Sequence, residues 1–238
     1  MAATLVLVHG TRMSSQFWRD YPALLPGVRI VTPDLPGHGA RVGEEFTWDS
    51  ALATIDDAVQ DTSGPVVLAG HSLGGYVAMA WAARHPRRLA GLALVGSCAI
   101  PRGPGLLAYQ GFARLVPVVG PARVARVANA LITRLASGRD LTGIVDDGEA
   151  YAALPTAWAA VTAHARPELL GEVTCPLLLL NGSRDQLRLH ARAFARAAVC
   201  AAEVRVVTVA GATHVLPLTH APRCAAELQT LLDRAGDR

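Results

Sequence analysis

Val66-Val67-Leu68-Ala69-Gly70-His71-Ser72-Leu73-Gly74-Gly75-Tyr76-Val77-Ala78-Met79 joins an apolar run to a helical pattern through one serine set among glycines. A continuous aliphatic run without alternation suits a strand covered on both faces, and residues 73–84 carry a helical pattern. A serine on so tight a strand-to-helix turn is held in a strained backbone conformation. Neighbouring side chains would collide there unless the residues two before and two after lack Cβ, a need that Gly70 and Gly74 meet. The turn lifts the Ser72 hydroxyl above the sheet edge at a helix N-terminus, where free N–H groups stabilise negative charge. The plainer reading, a serine that only caps a helix, does not account for the paired glycines.

Moving outward, short runs rich in Val, Ile and Leu recur at 5–8, 28–32, 89–95, 177–180 and 204–209, with helical patterns at 189–198 and 222–234. Strands alternating with helices imply right-handed crossovers and a doubly wound, mostly parallel α/β sheet. The rhythm breaks at 99–172. There, 106–118, 121–136 and 149–164 read as helices, punctuated by Gly103-Pro104-Gly105, Gly120-Pro121 and Ser137-Gly138. An insertion of that length with its own helices is expected to be a cap over the sheet edge, since long structureless loops are uncommon. The expected division is a core of 1–98 and 173–238 and a helical cap of 99–172. Tyr109, Phe112, Tyr151 and Trp158 fall on the apolar faces of the cap and read as packing residues.

The 238 residues, 51% of them hydrophobic, suit one globular domain with a sizeable core. All 22 basic residues are arginines, spread along a chain of formal charge +3, so no nucleic-acid partner is expected. No apolar run reaches the ~18 residues of a membrane span. Residues 1–8 run directly into His9-Gly10 and read as a strand, not an export signal. Cys98, Cys175, Cys200 and Cys224 form no C-x-x-C pair and read as buried free thiols, which points to a reducing, cytoplasmic setting. No dinucleotide fingerprint or Walker loop is present, so no cofactor is expected. Asp34 and His38 lack a third metal ligand, and no metal is expected either. Nothing in the sequence sets an oligomeric state.

A serine hydroxyl needs a base within hydrogen-bond reach to attack at neutral pH. Of eight histidines, His9, His38 and His71 lie in glycine turns, His85 closes a helix before Pro86, and His164 and His190 sit in helical patterns. His214 follows the carboxyl end of the last strand, the edge where catalytic groups gather in open parallel sheets. It is the expected base, with His220 as its rival. Protonation removes the base, so activity is expected to fall on the acid side.

The segment Gly70-His71-Ser72-Leu73-Gly74-Gly75 resembles the nucleophile elbow of the α/β-hydrolase superfamily, in a form common among its esterases and lipases. The resemblance covers nearly the whole chain outside the insertion and starts at the strand before His9-Gly10, so the one or two edge strands often found before it are not expected in the sheet. It implies the chain order Ser, Asp, His, which makes Asp185, after the strand at 177–180, the acid that fixes the imidazole tautomer. Some members place the acid one strand earlier, but Gly96-Ser97-Cys98 offers no carboxylate, and Asp140, Asp146 and Asp147 fall in the insertion and read as solvated. The resemblance also implies an oxyanion hole from the backbone N–H groups of Leu73 and Thr11, the latter following His9-Gly10. Arg12 beside it reads as solvated, or else as facing an anionic substrate. Asp34, within Pro33-Asp34-Leu35-Pro36-Gly37-His38-Gly39, reads as bonding its own loop.

The activity implied is hydrolysis of a carboxylic ester or lactone, on a small and partly apolar substrate. Thioester or carbon–carbon bond hydrolysis on the same triad is an alternative, as is a hydroxynitrile-lyase or haloperoxidase-like reaction. A serine nucleophile argues against the epoxide hydrolases and haloalkane dehalogenases, which use aspartate. From a different class, the chain could be a silent receptor on the same fold.

Overall fold

The computed structural model describes residues 3–60, 62, 64–136, 140–145 and 148–236. Its strands are β1 (Thr4–Val8), β2 (Arg29–Val31), β3 (Val66–His71), β4 (Leu89–Val95), β5 (Leu177–Gly182) and β6 (Val204–Val209). They form a single parallel sheet in the order β2-β1-β3-β4-β5-β6. All residues of β1, β3 and β5 are buried, as the continuous aliphatic runs require, while the edge strands β2 and β6 are half-covered.

The helices are α1 (Tyr21–Leu24), α2 (Trp48–Gln60), α3 (Leu73–Arg84), α4 (Pro104–Val119), α5 (Pro121–Leu135), α6 (Leu154–His164), α7 (Ala191–Ala197), α8 (Leu216–Thr219) and α9 (Ala221–Gly236). Alternate strand residues feed opposite layers. Val6, Val8, Leu68 and Leu94 pack with Leu52 and Ile55 of α2 and Val77 of α3, while Leu5, Leu7, Val67 and Ala93 pack with Tyr21 of α1 and Leu228 of α9. Burial of both faces at about 25 cal/mol per Å² of apolar surface drives this layering.

The strand order places the site. From β1 the chain turns outward to β2 and then returns on the other side of β1 with β3, so the direction of winding reverses between β1 and β3. Loops leaving neighbouring strands at such a switch point diverge and open a crevice at their carboxyl ends. Here those loops carry Gly10-Thr11 and Ser72.

Between β4 and β5 lie α4, α5, a 3-10 turn at Glu149–Tyr151, and α6. The single helix expected over 149–164 is therefore broken. Pro155 lacks an N–H and would clash with the carbonyl four residues back, so it is tolerated only in the first turn of a new helix. Val116, Ala125, Tyr151 and Leu154 form a small core flanked by Phe112 and Trp158, which bears out the packing role read for these aromatics. Tyr109's side chain and Ser137, Gly138, Asp146 and Asp147 lie outside the described residues.

The inserted helices are tied to the sheet layers at several points. His164 stacks on Trp48 at 5.2 Å, and the Ser14 hydroxyl donates to the Gly143 carbonyl at 2.5 Å. All four cysteines are free thiols; three are buried, but Cys200 is exposed, contrary to expectation, because it lies in the surface turn between α7 and β6, beside the likewise exposed Val199. Among the described residues, no helix is long and apolar enough to cross a membrane.

Candidate active site

Ser72 immediately follows β3, and its backbone stands at φ +53°, ψ −118°, a conformation that non-glycine residues rarely adopt. The elbow is held by close backbone approach on both sides. A Cβ at Gly70 would stand 2.2 Å from the Gly74 carbonyl oxygen, and one at Gly74 would stand 2.5 Å from the carbonyl oxygens of Val8 and His9. Backbone cannot yield as a flexible side chain can. Gly74→Ala is therefore expected to cost about 1–3 kcal/mol of stability, read as a lower urea midpoint at unchanged slope; a variant as stable as the parent would contradict the packing described.

His214 sits in the loop between β6 and α8, and Asp185 in the loop after β5. The imidazole bridges the other two side chains. Ser72 Oγ–H donates to His214 Nε2 at 3.1 Å, and His214 Nδ1–H donates to Asp185, with Oδ1 at 3.0 Å and Oδ2 at 3.1 Å. Ser72 and His214 are 142 positions apart in sequence, so only the sheet brings them together. His220, the rival base, lies with Nδ1 2.8 Å from its neighbour Thr219 Oγ1, at the end of α8.

Asp185 is 2% exposed. Burial alone would raise its pKa. The hydrogen bond and charge of His214, with the Leu187 N–H donating to Oδ1 at 2.8 Å, outweigh burial and hold the carboxyl below its ordinary range. The carboxylate is thus ionised where it meets the imidazole.

Leu73 is the first residue of α3, so its N–H precedes the helical ladder and needs an outside acceptor. The Thr11 N–H has no acceptor among the described residues. The loop carrying it passes close to the serine: a Cβ at Gly10 would stand 3.0 Å from Ser72 Cβ. Among the described residues, neither amide has an acceptor, and the two segments that carry them meet at Ser72.

Arg12 departs from the solvated position expected of it. Its backbone is left-handed at φ +66°, its guanidinium carbon lies 5.5 Å from the Tyr151 ring centroid, and its Nε is buried with no acceptor among the described residues. An arginine over an aromatic face gains cation–π attraction, which links the β1 loop to the inserted helices. That contact was not readable from sequence, since Tyr151 is 139 positions away.

Asp34 bonds its own loop as expected, Oδ2 accepting from Ala40 N–H at 2.9 Å, but it also reaches across to the β1 loop, where Oδ1 accepts from Ser15 N–H at 2.5 Å. His9 donates from Nδ1 to the Gly10 carbonyl and accepts the Leu35 N–H at Nε2; burial, reinforced by His38, pushes its pKa down to about 4. Among the described residues, no group of three or more His, Cys, Asp and Glu side chains is placed to hold a metal ion.

An open cleft of about 1780 Å³ begins at Met13, next in sequence to Arg12, and is lined by none of Thr11, Ser72, Asp185 and His214. It lies between the β1 loop at Met13 and Ser14, the β2 loop at Asp34 and Phe46, and the inserted segment at Ile144 and Thr156.

The Alpha/beta hydrolase family profile matches residues 5–227. The pimeloyl-[acyl-carrier protein] methyl ester esterase of Chromobacterium violaceum is 31% identical over 202 residues, covering 77% of this chain and 76% of that protein. Its counterpart in Aromatoleum aromaticum is 40% identical over 97 residues, and this chain spans only 36% of that protein's length. Among solved structures, a thermophilic esterase from Thermogutta terrifontis superposes with a TM-score of 0.76 at 23% identity, covering 99% of this chain and 90% of that one, a likeness of fold. With its profile match, its long-range relative and its parallel sheet all in agreement, the chain belongs to the alpha/beta hydrolase family.

Proposed function

We propose that this hydrolase cleaves a carboxylic ester or lactone through an acyl-enzyme, with Ser72 as nucleophile, His214 as base and Asp185 as orienting acid. One observation carries the reading: a single imidazole lies within hydrogen-bond reach of the hydroxyl of a strained serine on one nitrogen and of a buried carboxylate on the other. His214 Nε2 takes the Ser72 proton as Oγ attacks the carbonyl carbon. The amides of Thr11 and Leu73 hold the resulting oxyanion, each such donor contributing roughly 3 kcal/mol. The leaving alkoxide departs with the proton from Nε2. A water then gives its proton to the same nitrogen and attacks the acyl carbon, and Ser72 leaves with that proton.

Residues 99–172 act as a cap over this edge, and the adjoining cleft receives the distal part of a small, partly apolar substrate. The two relatives' ester-cleaving names support the reaction class. The free cysteines support a reducing, cytoplasmic setting.

An activated fluorophosphonate is expected to form one covalent adduct, at Ser72, located by peptide mass spectrometry. In a panel of short activated esters, lactones, thioesters and vinylogous diketones, esters or lactones are expected to give the highest kcat/KM. A protein that neither takes the label nor turns over any panel member would be a receptor, and the proposal would fall.

A further inference from the structure

His71 precedes the proposed nucleophile, is fully buried, and has no assigned part in the chemistry above. Its surroundings are specific on both sides. Toward the base, its Nε2–H donates to the main-chain carbonyl of His214 at 2.8 Å, and the two imidazoles lie 4.7 Å apart at a tilt of 38°. Toward the other loop, its ring stacks on Phe17 at 4.7 Å and 26°, and a Cβ at Gly10 would stand 2.9 Å from its Nδ1. The ring thus fills the space between the segment carrying the base and the segment carrying the Thr11 amide.

We propose that His71 is a positioning residue, which fixes the main chain of His214 relative to the Gly10-Thr11 loop and so sets the distances among His214 Nε2, Ser72 Oγ and the oxyanion donors. The inference rests on the triad reading above. Loops leaving different strands have no covalent reason to keep a fixed separation, and an error of about 1 Å in such a constellation can cost 100-fold in rate. His71 supplies two constraints at once. A directional hydrogen bond holds the carbonyl of the very residue whose ring must be aimed, and a flat, incompressible ring spaces the two loops.

The residue type follows from these demands. An acceptor carbonyl requires a donor at Nε2, which selects the neutral tautomer with an empty Nδ1 facing Gly10. Neutrality also matters for the cycle, because His214 becomes cationic in it and a second cation 4.7 Å away would oppose that step. Burial, then the neighbouring His214, pushes the His71 pKa down to about 3, so its ring keeps one proton while its neighbour gains and loses one.

The test uses His71→Phe, which keeps a flat ring against Phe17 but has no donor, and His71→Gln, whose amide N–H reaches as far along the chain as the imidazole Nε2–H. His71→Phe is expected to lower kcat about 10- to 100-fold with KM changed less than about threefold, and to slow fluorophosphonate labelling of Ser72 in parallel. His71→Gln is expected to recover most of both rates, even if it melts lower than the parent.

Wild-type kcat in His71→Phe, or equal losses in the two variants, would overturn the proposal. In ¹⁵N-histidine-labelled parent protein, His71 is expected to keep the neutral Nε2–H tautomer from pH 5 to pH 9; a protonated or Nδ1–H ring would also overturn it, whether or not the variants fold. Absence of labelling in the parent itself would instead strike the nucleophile assignment.

Discussion

Ser72→Ala is expected to lower kcat/KM for a short activated ester by about 10⁴-fold or more, leaving only the residual rate that oxyanion donors and binding supply. The loss is expected in kcat, because the hydroxyl forms a covalent bond only after substrate is in place. Stability is expected to change by less than about 1 kcal/mol. Among the described residues, Ser72 Oγ has one side-chain hydrogen bond, to His214 Nε2, and that nitrogen becomes a bare acceptor on a partly exposed ring when the hydroxyl goes. Alanine also meets the same backbone strain at φ +53°, so the elbow is neither relieved nor burdened. Steady-state kinetics beside a thermal melt separate the two effects, and an unmelted variant with turnover within tenfold of the parent would remove Ser72 from the mechanism.

The elbow is legible in sequence because its constraints are local. Gly70, Ser72 and Gly74 meet a steric demand set by five consecutive residues, and 73–84 forms α3 as read. The runs at 89–95 and 204–209 became β4 and β6 with the same bounds, since an aliphatic run closed by turn residues leaves little latitude. Asp185 and His214, the proposed partners of Ser72, are reachable by a further step, from the strand ends, since a parallel sheet sends all its carboxyl ends to one edge, and from the chain order that the family resemblance implies.

What escaped the reading depends on partners far along the chain. The helix at Trp48–Gln60 is an exception, since its signal is local: Trp48, Leu52, Ile55 and Val59 recur at helical spacing with polar residues on the opposite face. His71 looked like a turn residue until Phe17 and the His214 carbonyl stood beside it, and Arg12 looked solvated until Tyr151 closed over it. Sequence gives a residue's chemistry and local conformation. It does not give which distant surface arrives to cover it.

Asp185→Asn is expected to lower kcat about 10²- to 10⁴-fold while preserving the fold, through a change in where one proton sits. Oδ1 accepts the Leu187 N–H at 2.8 Å, and an asparagine keeping that bond must place its NH₂ where Oδ2 now lies, 3.1 Å from His214 Nδ1. An amide N–H facing Nδ1 makes that nitrogen an acceptor and moves the ring proton to Nε2. The imidazole then presents an N–H to Ser72 Oγ in place of a lone pair and cannot take the serine proton. The variant also loses the anion that stabilises the imidazolium formed during attack.

The same substitution carries a stability signature with a fixed sign. A carboxyl whose pKa is lower folded than unfolded adds stability above its unfolded value, near 4, and that stability is lost as pH falls through the folded value. Denaturation curves are therefore expected to show the parent losing more stability than Asp185→Asn between about pH 5 and pH 2. If the two lines instead run parallel through that range while turnover still collapses in the variant, the carboxylate orients the ring without the depressed pKa described. If turnover survives, His214 needs no anionic partner and the triad reduces to Ser72 and His214.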